Sequence, residues 1–172
     1  MIVHAGLIAR FSRGAWRGVL VRGPSSSGKS DLALRALAAG WSLVADDRTV
    51  LWRENGRVWG RAPESLSGLI EVRGLGILPV ADQTAVRPLA PIDLIADCAA
   101  PSEIERLPDP ACERMLDYDI ARIRLAALEP SAPVKLAWAL SHLAFGNKGR
   151  IKPAAPALEP PGVGGVPLRV QA

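Results

Sequence analysis

Apolar residues run in short stretches along this chain, and turn-forming residues separate them. Val3 to Ala9 alternates loosely and reads as a strand. Arg13 to Gly18 reads as a turn, and Val19-Leu20-Val21 as a second, buried strand. Helical spacing follows, so a helix is expected from Ser30 to near Ala39, with Gly40 as its C-terminal stop. Ser42 to Ala45 reads as a short buried strand ending at Asp46-Asp47. Thr49 to Trp52 and Arg57 to Trp59 flank Glu54-Asn55-Gly56, where Asn-Gly signals a hairpin turn. Ile92 to Ala96 and Ile120 to Leu125 read as further strands. Val134 to Ala144 has helical spacing, with Leu136, Leu140 and Leu143 on one side. From Pro153 onward the chain is rich in Pro and Gly and loses periodicity, so a disordered tail is expected. The pattern gives an α/β domain over residues 1–150 and a tail over 151–172, with no internal repeat.

The break between the second strand and the first helix carries chemistry. Gly23-Pro24-Ser25-Ser26-Ser27-Gly28-Lys29-Ser30 fits the phosphate-loop pattern G-x-x-x-x-G-K-[ST]. It follows an apolar strand and opens a helix. Backbone N–H groups of such a loop converge on phosphate oxygens, and the helix adds its positive dipole end. Lys29 is expected to reach the β- and γ-phosphates, and the Ser30 hydroxyl to ligate Mg²⁺.

Two further segments stand out. Asp46-Asp47 ends the third apolar run, where a strand beside the first would bring an acid to the phosphate site. If the strand persists, alternation sends one carboxylate toward the nucleotide and the other away; both can turn inward if it has ended. Two adjacent acids also repel, which raises one pKa. In Gly68 to Ile77, Glu71 and Arg73 share one face if the segment is extended. Glu71 could ligate Mg²⁺, and Arg73 could orient Glu71 or pair with phosphoryl oxygens. A strand-edge salt bridge explains the same spacing.

Composition narrows the class. The chain has 172 residues and is 49% hydrophobic, enough for one domain with a real core. The net charge of +4 comes mostly from scattered arginines, and aromatic residues make up 5%. Nothing concentrates into a basic stripe, so a dedicated nucleic-acid surface is not expected. No signal peptide or bilayer-spanning run is visible, and Cys98 and Cys112 lack metal-ligand spacing. A reduced, cytoplasmic setting is the expectation.

The three segments together resemble the bifunctional HPr kinase/phosphorylase family. In that family a phosphate loop is followed by an Ala-Asp-Asp strand end and a signature close to Ile-Glu-Ile-Arg-Gly-Leu-Gly-Ile. Here the string is Ile70-Glu71-Val72-Arg73-Gly74-Leu75-Gly76-Ile77. The resemblance runs roughly from Val3 to Ala144. It implies a phosphate-loop domain with a mostly β core related to phosphoenolpyruvate carboxykinase, and a hexamer. It also implies transfer of the ATP γ-phosphoryl to a serine of HPr, a small phosphocarrier protein, in the regulation of phosphotransferase-system carbohydrate metabolism. By the same resemblance Asp46 is the catalytic base, and His4 matches the histidine of the strand before the loop. Lys29 contacts phosphate, Ser30 and Glu71 contact Mg²⁺, and Arg106 matches a later catalytic arginine.

The chain also departs from the family pattern. Members usually carry a preceding N-terminal domain, so this chain reads as the catalytic part alone. Ser26 stands where the loop commonly has Gly, and Asp31 where it has Glu. The family's later Gly-Arg-Asn loop, linked to phosphorolysis, is replaced by Pro130 to Lys135, where Lys135 offers a cation without the arginine fork. Kinase activity is expected more firmly than the reverse reaction. A small-molecule phosphate-loop kinase and a non-catalytic ATP-binding regulator are the alternatives.

Overall fold

The computed structural model describes residues 1–142. The strands are β1 (Ile2–Ser12), β2 (Ala15–Arg22), β3 (Ser42–Ala45), β4 (Arg48–Glu54), β5 (Arg57–Arg61), β6 (Leu69–Val72), β7 (Gly76–Pro79), β8 (Ala90–Cys98), β9 (Ala111–Met115) and β10 (Tyr118–Leu125). The helices are α1 (Lys29–Ala38) and α2 (Ala132–His142). None of the helices among the described residues is long and apolar enough to cross a membrane.

Pairing runs β2-β1-β4-β5-β8-β10-β9, β3 joins β1, and β2 also pairs β8. The chain of pairings from β2 through β1, β4, β5 and β8 therefore returns to β2. Strands β2, β8 and β10 lie parallel, with β8 between the other two over its C-terminal half. Their C-terminal ends form one rim, and the phosphate loop leaves β2 at that rim. A separate two-stranded hairpin, β6-β7, stands off the main sheet.

Strand alternation sorts the core into two clusters. On one face Ile8, Val19, Val21, Leu94 and Ala96 pack against Leu32, Ala33 and Ala36 of α1 and Leu136 and Leu140 of α2. On the other, Leu7, Leu20, Leu51, Val58, Ile92, Ile95 and Ile120 fill the space enclosed by the pairing ring. Helix α1 is amphipathic, with Leu32 and Ala36 fully buried and Asp31 exposed. Truncating a residue such as Leu32 to Ala should cost about 2–5 kcal/mol. The helix ends as expected: Gly40 takes a left-handed φ of 80°, and the Trp41 N–H returns to the Ala36 carbonyl at 3.0 Å.

Several elements differ from the expectation. The turn placed over Arg13–Gly18 is confined to Arg13-Gly14, with φ of 50° and 76°, and β2 begins at Ala15. Cross-strand packing of Phe11 on Trp16 extends the ladder to the hairpin tip. Strand β9 is an additional edge strand, joined to β10 through a left-handed Leu116-Asp117 turn. The Asn55-Gly56 hairpin is as expected, with both residues at positive φ. Helix α2 spans Ala132–His142; Leu143, the rest of the expected helix and the tail over 151–172 lie outside the described residues.

Candidate functional site

The phosphate loop joins β2 to α1. Gly28 caps α1 at φ 92°, and a Cβ there would come within 2.7 Å of Leu128 Cδ2. The left-handed backbone is what favours glycine here; the contact is with the tip of the exposed Leu128 side chain, which can rotate away. No side chain caps the helix, so its first N–H groups remain available to an anion. Lys29 is 7% exposed, and its Nζ donates to the carbonyls of Gly23 and Pro24 at 3.0 Å each. These bonds curl the ammonium over the loop, above the helix start. Ser26 holds a left-handed φ of 64°, while Pro24, Ser25 and Ser26 face solvent.

Asp46 sits just past the end of β3 and is 7% exposed. Its Oδ1 accepts from Ser30 Oγ at 2.9 Å, and its Oδ2 accepts from the Glu71 N–H at 2.8 Å. One carboxylate thus ties together the phosphate loop, the β3 end and the β6-β7 hairpin. Burial pushes the Asp46 carboxyl above the usual aspartate value, and the charges of Asp47 and Glu71 add to the rise. The bonds from Glu71 N–H and Ser30 oppose it.

Strand alternation does not separate Asp46 from Asp47, because β3 stops at Ala45. Asp47 instead turns in a left-handed conformation, φ 63°, that aims it at His4. His4 Nδ1 lies 3.2 Å from Asp47 Oδ1, and both side chains are 49% exposed. His4 therefore contacts the neighbour of Asp46.

The Glu71 region is a hairpin rather than one extended strand, with Arg73 to Leu75 forming its turn. Glu71 and Arg73 consequently share no strand face. Arg73 crosses instead to the phosphate loop, where its Nη2 donates to Ser26 Oγ at 2.9 Å. The Glu71 side chain is exposed beside Asp46, while its backbone holds Asp46. Ile70 and Val80 anchor the hairpin in the core beneath α1.

The oxygen donors that gather here fit Mg²⁺. Ser30 and Asp46 place a hydroxyl beside a carboxylate at 2.9 Å, with the Glu71 carboxylate adjoining. Mg²⁺ keeps several waters and needs only one or two carboxylates together with phosphate oxygens. Among the described residues no group of three or more His, Cys, Asp or Glu side chains is arranged to hold a metal ion, so phosphate oxygens and water would complete the set.

The later residues separate. Arg106 lies exposed on the loop after β8, and its guanidinium makes no hydrogen bond or ion pair among the described residues. That loop walls a cleft of about 460 Å³ lined by Glu103, Pro108, Asp109, Arg122 and Arg124 among others. Lys135, in the first turn of α2, pairs with Glu129. Sequence reasoning missed how close this segment comes to the loop: Leu128 and Ala127 pack on Gly28, and Arg35 of α1 donates to the carbonyls of Ala127 and Glu129. Nothing local in the sequence signals those contacts.

The profile of the HPr Serine kinase C-terminal domain family matches residues 3–133. An HPr kinase/phosphorylase of Xanthomonas campestris pv. campestris (strain B100) is 38% identical over 149 residues, 80% of this chain and 47% of the relative. The HPr kinase/phosphorylase of Xanthomonas oryzae pv. oryzae (strain PXO99A) matches to the same extent. The chain thus spans about half the length of these curated relatives. Among solved structures, the Hpr(Ser) kinase/phosphatase from Coxiella burnetii is similar, with TM-score 0.69 and 25% identity over 82% of this chain and 88% of that one.

Proposed function

The chain belongs to the HPr serine kinase C-terminal domain family, and from that premise we propose that it transfers the γ-phosphoryl of ATP to a serine of HPr. The observation that carries the reading is the double anchoring of Asp46 by Ser30 and by the Glu71 N–H. A buried carboxylate of raised pKa at the mouth of the phosphate loop is the arrangement a general base calls for.

The chemistry requires positioning and charge neutralisation more than covalent help. The loop N–H groups and the start of α1 bind the β- and γ-phosphates. Lys29 exchanges its loop carbonyls for phosphate oxygens. Ser30 and Glu71 would hold Mg²⁺, which would supply charge neutralisation on the triphosphate. Asp46 accepts the proton of the seryl hydroxyl. The seryl oxygen bonds to the γ-phosphorus, the bond to the β–γ bridging oxygen breaks, and ADP leaves. If the reverse reaction runs, an oxygen of protonated inorganic phosphate bonds to the seryl-phosphate phosphorus, the bond from that phosphorus to the seryl oxygen breaks, Asp46 passes the phosphate's proton to the seryl oxygen, and pyrophosphate is released. His4, through Asp47, and Arg106, from its exposed loop, are proposed to assist in assembling the substrate site.

Exposed Leu75 and Ile77 on the hairpin and Val134 and Trp138 on α2 supply apolar area for association, in keeping with a homo-oligomer, the hexamer of the family resemblance. The setting proposed is cytoplasmic, with Cys98 and Cys112 both free thiols. Incubation with γ-labelled ATP, Mg²⁺ and HPr from the same cells tests the function. Label on an HPr serine supports it. Label on a metabolite, or binding without transfer, contradicts it.

A further inference from the structure

Arg22 is the last residue of β2, and the phosphate loop begins at the next position. Its guanidinium is held on both forks. Nε and Nη2 donate to Asp97 at 2.8 and 3.2 Å, and Nη1 and Nη2 donate to Glu113 at 2.6 and 2.7 Å. Arg122 Nε donates to Asp97 as well and lies 3.7 Å from Glu113. The network joins β2, β8, β9 and β10 at the rim from which the loop departs. Glu113 and then Asp97 raise the Arg22 pKa against its partial burial. Burial works to raise the Asp97 carboxyl, but bonds from Arg22 and Arg122 outweigh it and hold the group below its ordinary value. Arg22 does the same to Glu113.

The network also sits where it can position the phosphate loop. The side chains of Arg22, Asp97 and Glu113 are 24%, 20% and 29% exposed. The pairs are partly buried, bidentate and linked in a network, so they also add to stability. The β2–β8 register is already set by pairing from Gly18 with Ile92 through Arg22 with Asp97. The residue that the network locates is the root of the loop. At the next position, a Cβ on Gly23 would lie 2.8 Å from Cys98 Cβ and 2.6 Å from Ser27 Oγ, so Gly23 already touches the end of β8. The carbonyl of Gly23, with that of Pro24, accepts Lys29 Nζ. A displacement of Arg22 therefore passes through one peptide unit to the ammonium.

We propose that Arg22, clamped by Asp97 and Glu113, is a positioning residue for triphosphate binding. It fixes the loop root and, through the Gly23 and Pro24 carbonyls, the direction of Lys29. The inference rests on the reading of this loop as an ATP site. Arg22 itself does not touch the nucleotide, because both forks are taken by carboxylates. Lysine cannot replace it, since an ammonium lacks the planar fork that grips two carboxylates at once.

ATP·Mg²⁺ affinity, measured by calorimetry together with melting of the nucleotide-free protein, tests this in Arg22→Lys, Glu113→Gln, Lys29→Ala and the Arg22→Lys/Lys29→Ala pair. Arg22→Lys should weaken binding about five- to tenfold, a coupling within the range of contacting networks. KM for ATP should rise in step while kcat at saturation holds. Glu113→Gln should lose less, because Asp97 still grips the guanidinium. In the Lys29→Ala background, Arg22→Lys should add no further loss, because the effect acts through that ammonium. Unchanged affinity in Arg22→Lys, or the same fold-loss with and without Lys29, overturns the inference. Failure of the unaltered protein to bind ATP·Mg²⁺ overturns the site reading itself, and the inference with it.

Discussion

Ser30 Oγ and Asp46 Oδ1 lie 2.9 Å apart, joining the first turn of α1 to the end of β3. The contact puts the proposed proton acceptor beside a proposed Mg²⁺ contact of the phosphate loop. A serine presented across the loop mouth meets phosphoryl group and base together, which is the geometric requirement for general-base help.

Lys29→Ala should weaken ATP binding at least tenfold, about 1.4 kcal/mol, and remove transfer. The nucleotide-free fold should lose less than about 1 kcal/mol, since the ammonium only bridges two carbonyls of its own loop. Calorimetry with ATP and thermal melting without it check both halves. A large melting loss without nucleotide would assign Lys29 a structural role instead.

Asp46 sets a pH dependence whose sign is fixed. Its folded pKa lies above the ordinary 3.8. Between that value and the raised one, the folded chain binds more protons than the unfolded chain. The stability contributed by this group therefore falls as pH rises through the window. Transfer should fall as pH drops through the same window, at higher pH than for an ordinary aspartate, because a protonated base cannot accept the seryl proton. Asp46→Asn should flatten the stability profile. The amide can still accept from the Glu71 N–H and donate to a rotated Ser30 hydroxyl. Melting temperature and forward rate against pH, for both proteins, give the comparison.

At Asp47 the backbone is left-handed, a conformation Asn tolerates and Ala does not. Asp47→Asn should therefore cost no more than about 1 kcal/mol, consistent with a half-exposed pair with His4. Asp47→Ala should cost more, roughly 1–2 kcal/mol beyond the lost pair, from backbone strain. Chemical denaturation of the two variants separates strain from charge. Equal losses would contradict the backbone argument.

Lys135 pairs with Glu129 at the start of α2, in the segment that packs beneath Gly28. Lys135→Ala should slow phosphate-dependent release of pyrophosphate from seryl-phosphorylated HPr more than it slows the forward reaction. Following both products in the variant and the unaltered protein tests this. A healthy forward rate without any phosphate-dependent release in the unaltered protein would mark a kinase only.

Where chemistry is local, the sequence was legible. Gly28, Lys29 and the first turn of α1 follow from the phosphate-loop pattern, and Asn55-Gly56 from turn stereochemistry. Strand β9 was hidden because Ala111 to Met115 is an exposed edge that carries Cys112, Glu113 and Arg114 and shows no apolar alternation. The β6-β7 hairpin was hidden because Gly74 and Gly76 turn the chain at positive φ inside what reads as one extended segment. The anchoring of Asp46 by the Glu71 N–H joins residues 25 positions apart through a backbone donor that every residue type carries, so no side-chain pattern could announce it. The Arg22 network was invisible for a similar reason, since its members come from β2, β8, β9 and β10.

The central claim is that Asp46, between the phosphate loop and the hairpin, accepts the proton of an HPr serine. Single-turnover transfer from ATP·Mg²⁺ to HPr, compared between the unaltered protein and Asp46→Asn, tests it most directly. The account predicts label on one seryl residue, nucleotide affinity unchanged by the substitution, and a rate lowered by about 10²–10⁴-fold. Equal single-turnover rates in the two proteins would contradict it.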